Sequence, residues 1–287
     1  MEVYEIIIDF EALSRRHNVL SKKIHKAQPE IPYCYSIGFE GLTSFHFINP
    51  NILSQHTELK KSLLKNIQKL INVNVELHQI IFSGWNPNLE KFIFKQFYKI
   101  DNKVINFINK FNNEENQELF LNNRKYSLDQ LTNNMFKSKY FEYSKSLIIE
   151  NIENEKILEA AKASGSIASI MGYILWVKKN NYTSKLINFE VDTKKIQEEI
   201  KKYSLDDIKK IIWMQDNQNE TIERIKKLNS IKLMEKEAVN WGRITRVLDK
   251  IEDKKMTVEQ AIEFYNKKTE SLNEEAESLR EEHSFIK

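Results

Sequence analysis

Val3-Tyr4-Glu5-Ile6-Ile7-Ile8-Asp9-Phe10-Glu11 is the stretch on which the reading of the whole chain turns. Its β-branched and aromatic run over residues 3–10 predicts a buried strand. It closes on Asp9-Phe10-Glu11, and carboxylates two apart on a strand point to the same face. Working outward, residues 33–39 predict a second strand and 43–48 a third, with Gly41 in the hairpin turn between them. The three make an antiparallel meander that starts a mixed sheet. The basic, polar segment 15–31 between the first two reads as a loop. Residues 56–71 place Leu59, Leu63, Leu64, Ile67, Leu70 and Ile71 at helical spacing. Residues 76–83 then predict a strand, 84–87 a turn, and 88–98 a helix with Leu89, Phe92, Ile93 and Phe97 on one face. Further helices are expected over 127–136, capped by Ser127, and over 155–179, in one or two pieces around Gly165. Residues 193–214 follow with a strong helical period through Ile196, Ile200, Tyr203, Ile208, Ile211 and Ile212. From about Asn219 the chain reads as helix in two segments, the last opened by a capping box of Thr257 and Gln260.

Composition bounds the function classes. The chain has 287 residues, 41% hydrophobic and 30% charged, so it can bury a sizeable core. Six glycines and four prolines favour long helices over a loop-rich all-β protein. A net charge of +3 permits nucleic-acid binding without arguing for it. The single cysteine, Cys34, excludes an intramolecular disulfide and Cys-based zinc sites. The N-terminus carries acids where a signal peptide needs a basic region. The longest apolar candidate, 166–177, is interrupted by Ser169 and Gly172 and flanked by lysines. A soluble, cytoplasmic protein with no membrane association is expected.

Three short motifs carry chemistry. Asp9 and Glu11 at a strand end can jointly hold a divalent cation, although charged residues often close strands for no other reason. In Ile80-Ile81-Phe82-Ser83-Gly84-Trp85-Asn86-Pro87-Asn88-Leu89-Glu90, an apolar strand runs into a turn and an acid follows in the first helical turn. Glu90 there also fits helix-dipole chemistry, and Asn86 an ordinary cap or turn. Tyr203 and Asp207, four apart on a helix, share a face. An amphipathic helix with a half-buried Tyr and a surface Asp is the plainer reading.

Taken in order, these motifs resemble those of the DEDD superfamily of DnaQ-like 3′→5′ exonucleases, in its tyrosine-containing branch. Asp9 and Glu11 match the opening Asp-x-Glu, Asn86 and Glu90 the Asn with an acid four residues on, and Tyr203 and Asp207 the closing Tyr-x-x-x-Asp. The chain is most similar to a group of poorly characterised bacterial exonuclease-like proteins with an Asp-Phe-Glu first motif and a Glu in the second. They follow the first motif with a strand similar to Ile31-Pro32-Tyr33-Cys34-Tyr35-Ser36. The matched span covers roughly residues 3–214. The resemblance implies an α/β fold with an RNase H-like mixed sheet flanked by helices, over residues 1–214. An all-helical C-terminal extension over 215–287 completes it. It also implies hydrolysis of phosphodiester bonds at a DNA or RNA 3′ end with two Mg²⁺ or Mn²⁺ ions. Asp9, Glu11 and Asp207 would hold the metals, Tyr203 would orient the attacking water and Glu90 would complete the site. Glu90 departs from the more usual Asp by a methylene, and the long spacing to Tyr203 implies an insertion. A rival alignment places the third motif at Ser164-Gly165-Ser166-Ile167-Ala168-Ser169, where serines would replace His and Asp and the site would be dead.

Other residues are weighed beside these. Arg16, Lys22, Lys23 and Lys26 form a basic stretch able to contact phosphates or simply to face solvent. Trp85 can stack on a base or pack in the core. His17, His25, His46, His56, His78 and His283 show no metal-ligand spacing. Trp241, Arg243 and Arg246 fit nucleic acid or a partner, and Trp241 also a helix–helix contact. Two other functions stand beside the exonuclease: a catalytically inactive RNase H-like nucleic-acid-binding module, and a scaffold that binds a protein partner or itself through the C-terminal helices.

Overall fold

In the computed structural model, strand β1 (Tyr4–Ser14) is the centre of a mixed five-stranded sheet of order β3-β2-β1-β4-β5. The structure describes residues 2–21, 30–101, 104–107, 126–132, 136, 140–182 and 184–231, with isolated positions at 257, 260, 263, 266 and 267. The chain divides into two compact units, Met1–Ile225 and Lys226–Lys287. In the second, Thr257 and Gln260 make the expected reciprocal cap bonds, at 3.0 and 3.3 Å. Trp241, Arg243, Arg246 and most of the predicted helical tail lie outside the described residues.

The meander forms as expected. Strand β2 (Glu30–Phe39) pairs antiparallel with β1, and β3 (Leu42–Phe47) antiparallel with β2. The turn between β2 and β3 puts Glu40 and Gly41 at positive φ, 45° and 81°. Two such residues give a hairpin turn whose twist suits its strands. Strands β4 (Ile80–Gly84) and β5 (Val104–Asn106) run parallel to β1 on its other side. This antiparallel-plus-parallel sheet, flanked by helices, is consistent with an RNase H-like arrangement.

Strand β1 runs further than its sequence suggests. It does not end at Glu11, because β2 keeps pairing with it through Asp9↔Ser36, Glu11↔Cys34 and on to Ser14↔Glu30, with a bulge after Glu11. The parallel partner β4 stops much sooner, its last pair being Ile7↔Ser83. Asp9 and Glu11 are therefore interior to one ladder and beyond the end of the other. Strand β4 is also shorter than the expected 76–83. Glu76 and Gln79 form a capping box that winds Leu77–Gln79 into a 3₁₀ turn.

The pleat of β1 sorts its residues between two cores. Ile6, Ile8, Phe10 and Ala12 pack with Tyr35, Ile37 and Phe82 under helix α1 (His56–Ile71) and helix α2 (Asn88–Ile93), which continues as a π turn over Phe94–Tyr98. Leu13 faces the other way with Cys34, under helices α4 (Glu142–Asn151), α5 (Glu155–Ala160), α6 (Ser164–Lys179) and α7 (Thr193–Asp216). The short helix α3 (Leu128–Leu131) precedes these and is capped by Ser127 as predicted. The helical region 155–179 breaks after Ala160, not at Gly165, which sits in the first turn of α6. Helix α4 and strand β5 are not anticipated by the sequence reading. The amides of Tyr143 and Ser144 in α4 donate to Glu199 of α7 at 2.8 and 3.0 Å, which ties the two helices together.

Helix α7 lies close on β2 because Gly38 has no side chain. A Cβ there would stand 2.5 Å from Ile208 Cγ2 and 3.2 Å from Ile212 Cδ1. Gly38→Ala is expected to cost about 1–3 kcal/mol by overpacking, read as a lower urea midpoint at an unchanged slope. No helix among the described residues is long and apolar enough to cross a membrane.

Candidate functional site

The early end of β4 opens a space beside β1. Glu90, in the first turn of α2, enters that space and is 5% exposed. The amide of Phe10, beyond the end of β4, donates to Glu90 Oε1 at 3.3 Å. Gly84 makes the approach possible, since a Cβ there would come 3.0 Å from the Ile8 carbonyl and 3.7 Å from Glu90 Cγ. The turn is completed by Asn86 at φ 47°, a left-handed conformation that Asn tolerates. Asn86 is thus a turn residue, and Pro87 takes the cap position of α2.

The opposite wall comes from α7. The hydroxyls of Ser204 and Ser36 lie 2.8 Å apart, beside Asp9 in the register of the sheet. That contact sets the rotation of α7 and turns Tyr203 and Asp207 toward β1. The Tyr203 ring is held by Tyr140 (5.3 Å between centroids, 81°) and Phe141 (5.2 Å, 50°), and its hydroxyl side lies by Asp207, whose charged form it favours. Asp207 Oδ1 also accepts from Lys210 Nζ at 2.8 Å. Lys210 is 1% exposed and reaches Asp129 Oδ1 at 2.7 Å, with its ammonium 5.3 Å from the centre of the Tyr140 ring.

All five residues expected to carry catalysis share one electrostatic field. Burial pushes Asp9 well up, and the charges of Glu11, Asp207 and Glu90 push it further, against the opposing pull of Lys210. Glu11 is raised by burial and then by Asp207 and Glu90. Burial raises Glu90 to about 7 despite the backbone amides that hydrogen-bond it. Asp207 is raised by burial, with Lys210 holding it back. Burial, then Asp207, Glu11 and Asp9, hold the Tyr203 phenol well above its ordinary value. For Lys210, burial acts downward, but Asp207 and Asp129 outweigh it and leave the ammonium above its ordinary value. Asp9, Glu11, Tyr203 and Asp207 each keep part of their surface open, so this is a crowded cleft reached by solvent.

The donor set suits a hard divalent cation, which prefers carboxylate oxygens. Asp9 Oδ2 is buried without a hydrogen-bond partner, the kind of lone acceptor that a cation satisfies. Among the described residues, no group of three or more His, Cys, Asp or Glu side chains is placed to hold a metal ion. Any fit to an ion therefore lies in the chemistry of the donors and not in a preformed arrangement.

The residues expected to contact nucleic acid are more scattered. Arg16 is exposed on the turn after β1, near His17 and Glu30. Five residues of strand separate Asp9 from Ser14, roughly 17 Å at strand rise. Arg16 is thus placed away from the carboxylates. Trp85 and Asn86 are half-buried at the end of β4, close in sequence to Glu90. Lys22 and Lys23 lie outside the described residues. In the rival segment, Ser169 accepts from the Ser14 amide at 2.8 Å and lies 3.2 Å from His17 Nδ1, a structural tie. Gly165 lies near the site, where a Cβ would stand 3.6 Å from the Tyr203 hydroxyl.

Sequence reasoning missed Lys210, Asp129 and Tyr140. Lys210 carried a signal, since it continues the 203–207–210 helical face and interrupts the apolar stripe. No protein-family model and no curated protein matches the chain.

Proposed function

We propose that this protein is a divalent-metal-dependent 3′→5′ exonuclease that hydrolyses phosphodiester bonds of DNA or RNA. The observation that carries this reading is the meeting of Asp9, Glu11, Glu90 and Asp207, from three elements distant in sequence, beside the Tyr203 hydroxyl. Nothing in a purely structural role calls for four mutually repelling carboxylates in a half-open cleft. Asp9 and Glu11, on one face of β1, would hold Mg²⁺ or Mn²⁺ with Asp207 across from them. When bound, such an ion stabilises phosphoryl charge and makes water a stronger nucleophile.

The protein's own groups divide the remaining work. Tyr203 stays protonated at neutral pH, because burial and its acidic neighbours raise its phenol. It orients the attacking water as a hydrogen-bonding partner and does not remove its proton. Glu90, near neutrality in pKa, exchanges a proton at working pH and so serves the water or the leaving 3′ oxygen. Water oxygen bonds to phosphorus as its proton passes to Glu90, the bond to the 3′ oxygen breaks with that oxygen taking up a proton from Glu90 or solvent, and a mononucleotide leaves. Half-buried Trp85 lies next to this space and is the candidate surface for a terminal base.

The test is Mn²⁺-dependent degradation of 3′-labelled and 5′-labelled single-stranded DNA and RNA by wild type, Asp9→Ala and Asp207→Ala. Mononucleotide release from the 3′ label, lost in both variants, is the expected result. Unchanged activity in Asp207→Ala removes that residue from the site. Binding of the substrates by wild type without cleavage favours the inactive nucleic-acid-binding module instead.

A further inference from the structure

The geometry points to Lys210 as a fixed cation beside Asp207 that stands in for a second metal ion, so that the cleft takes one divalent ion, at Asp9 and Glu11. This inference rests on the metal-dependent reading above and sets its stoichiometry at one ion, where the sequence resemblance implies two. An ammonium has three N–H donors and no more. Two of those of Lys210 go to Asp207 Oδ1 at 2.8 Å and Asp129 Oδ1 at 2.7 Å, and the ammonium lies 5.3 Å from the centre of the Tyr140 ring.

The side chain is 1% exposed, so Lys210 does not reach substrate and is a positioning residue. It acts through Asp207. A carboxylate that already carries a buried ammonium on one oxygen, and the Tyr203 hydroxyl beside it, is a poor ligand for a further divalent ion. Asp9 differs, because its buried Oδ2 has no hydrogen-bond partner. Glu11 follows two residues on, on the same face of β1 and in the same electrostatic field. The vacant acceptor capacity thus lies on the β1 side of the cleft, and the positive charge is already in place on the α7 side.

The experiment counts bound Mn²⁺ by the electron paramagnetic resonance of the free ion after equilibrium dialysis of metal-free full-length protein. One ion per chain is expected for wild type, none for Asp9→Asn, two for Lys210→Met and one for Lys210→Arg, which keeps the charge. A purely structural role for Lys210 would not change the count. In the nuclease assay, Lys210→Met is expected to fall about 10–100-fold, with part of the loss restored in Lys210→Arg. Two ions in wild type, or one in a folded Lys210→Met, would overturn this inference and leave the metal-dependent reading intact. No bound ion in wild type would overturn both. The wild-type count decides by itself should Lys210→Met not fold.

Discussion

Asp9→Asn is expected to yield a protein that is more stable than wild type without metal and is inactive. Asp9 is raised by burial and by Glu11, Asp207 and Glu90 together, so its charge is opposed from several sides. Its Oδ2 is buried with no partner, so nothing in the metal-free fold rewards the ionised form at that atom. An amide of nearly the same shape removes the repulsion and supplies two donors to the surrounding acceptors. The expected gain is about 0.5–2 kcal/mol in urea denaturation with EDTA at pH 7.5. Activity is expected to fall at least about 10³-fold, because residues that act as a unit are not replaceable singly. With Mn²⁺ at about 100 times its dissociation constant, wild type should gain about 2.7 kcal/mol and the variant should gain little. The order of stabilities then narrows or reverses. Loss of stability together with activity would make Asp9 a structural residue, and retained activity would overturn the exonuclease reading.

The pattern of this result follows from what was legible in the sequence. The alternation of Ile6, Ile8 and Phe10 with Asp9 and Glu11 fixed which face of β1 is apolar and which is acidic, because a strand has a period of two. The period of α7 likewise placed Tyr203 and Asp207 on one face, and the structure turns that face toward β1. Strand ends were less legible, because they depend on the partner. Nothing local in Glu11-Ala12-Leu13-Ser14 shows that β2 continues alongside it while β4 has stopped. Strand β5 has three residues, too few for a period. The role of Lys210 was hidden for a related reason, although its place on the 203–207–210 face was not. Its partners Asp129 and Tyr140 are about 70–80 positions away in sequence, and only the packing of α3 and of the segment before α4 against α7 unites them. The motif makes Glu90 an acid that completes the site, yet its Oε1 also closes the free edge of β1 at the Phe10 amide. A helix dipole or a motif alone does not reveal that tie.

The second large effect concerns pH. Metal-free wild type is expected to lose stability as pH rises from 5.5 to 7.5, the opposite of the acid sensitivity usual in folded proteins. Glu90 has an ordinary value of 4.5, and burial lifts it to about 7 in the fold. Between those values the folded state holds a proton that the unfolded chain has released. Stability therefore falls with rising pH across that window. At about 1.4 kcal/mol per pH unit, a rise of about 2.5 corresponds to about 3 kcal/mol over the full window. Asp9 and Glu11 are raised too and act in the same direction. Exposed carboxylates contribute little here, because they are ionised in both states above pH 5.5. His17 and His46 are lowered by burial and act against the trend below about 6.5, favouring the fold as pH rises. The difference between wild type and Glu90→Gln cancels them, since the amide keeps an oxygen for the Phe10 N–H and has no proton to lose. Thermal melts in EDTA should show wild type losing more stability than Glu90→Gln over this range. Equal slopes in the two proteins would mean that Glu90 is not desolvated and that water reaches it freely. A divalent cation should replace the proton at pH 7.5, restoring the melting temperature in wild type and releasing protons as it binds.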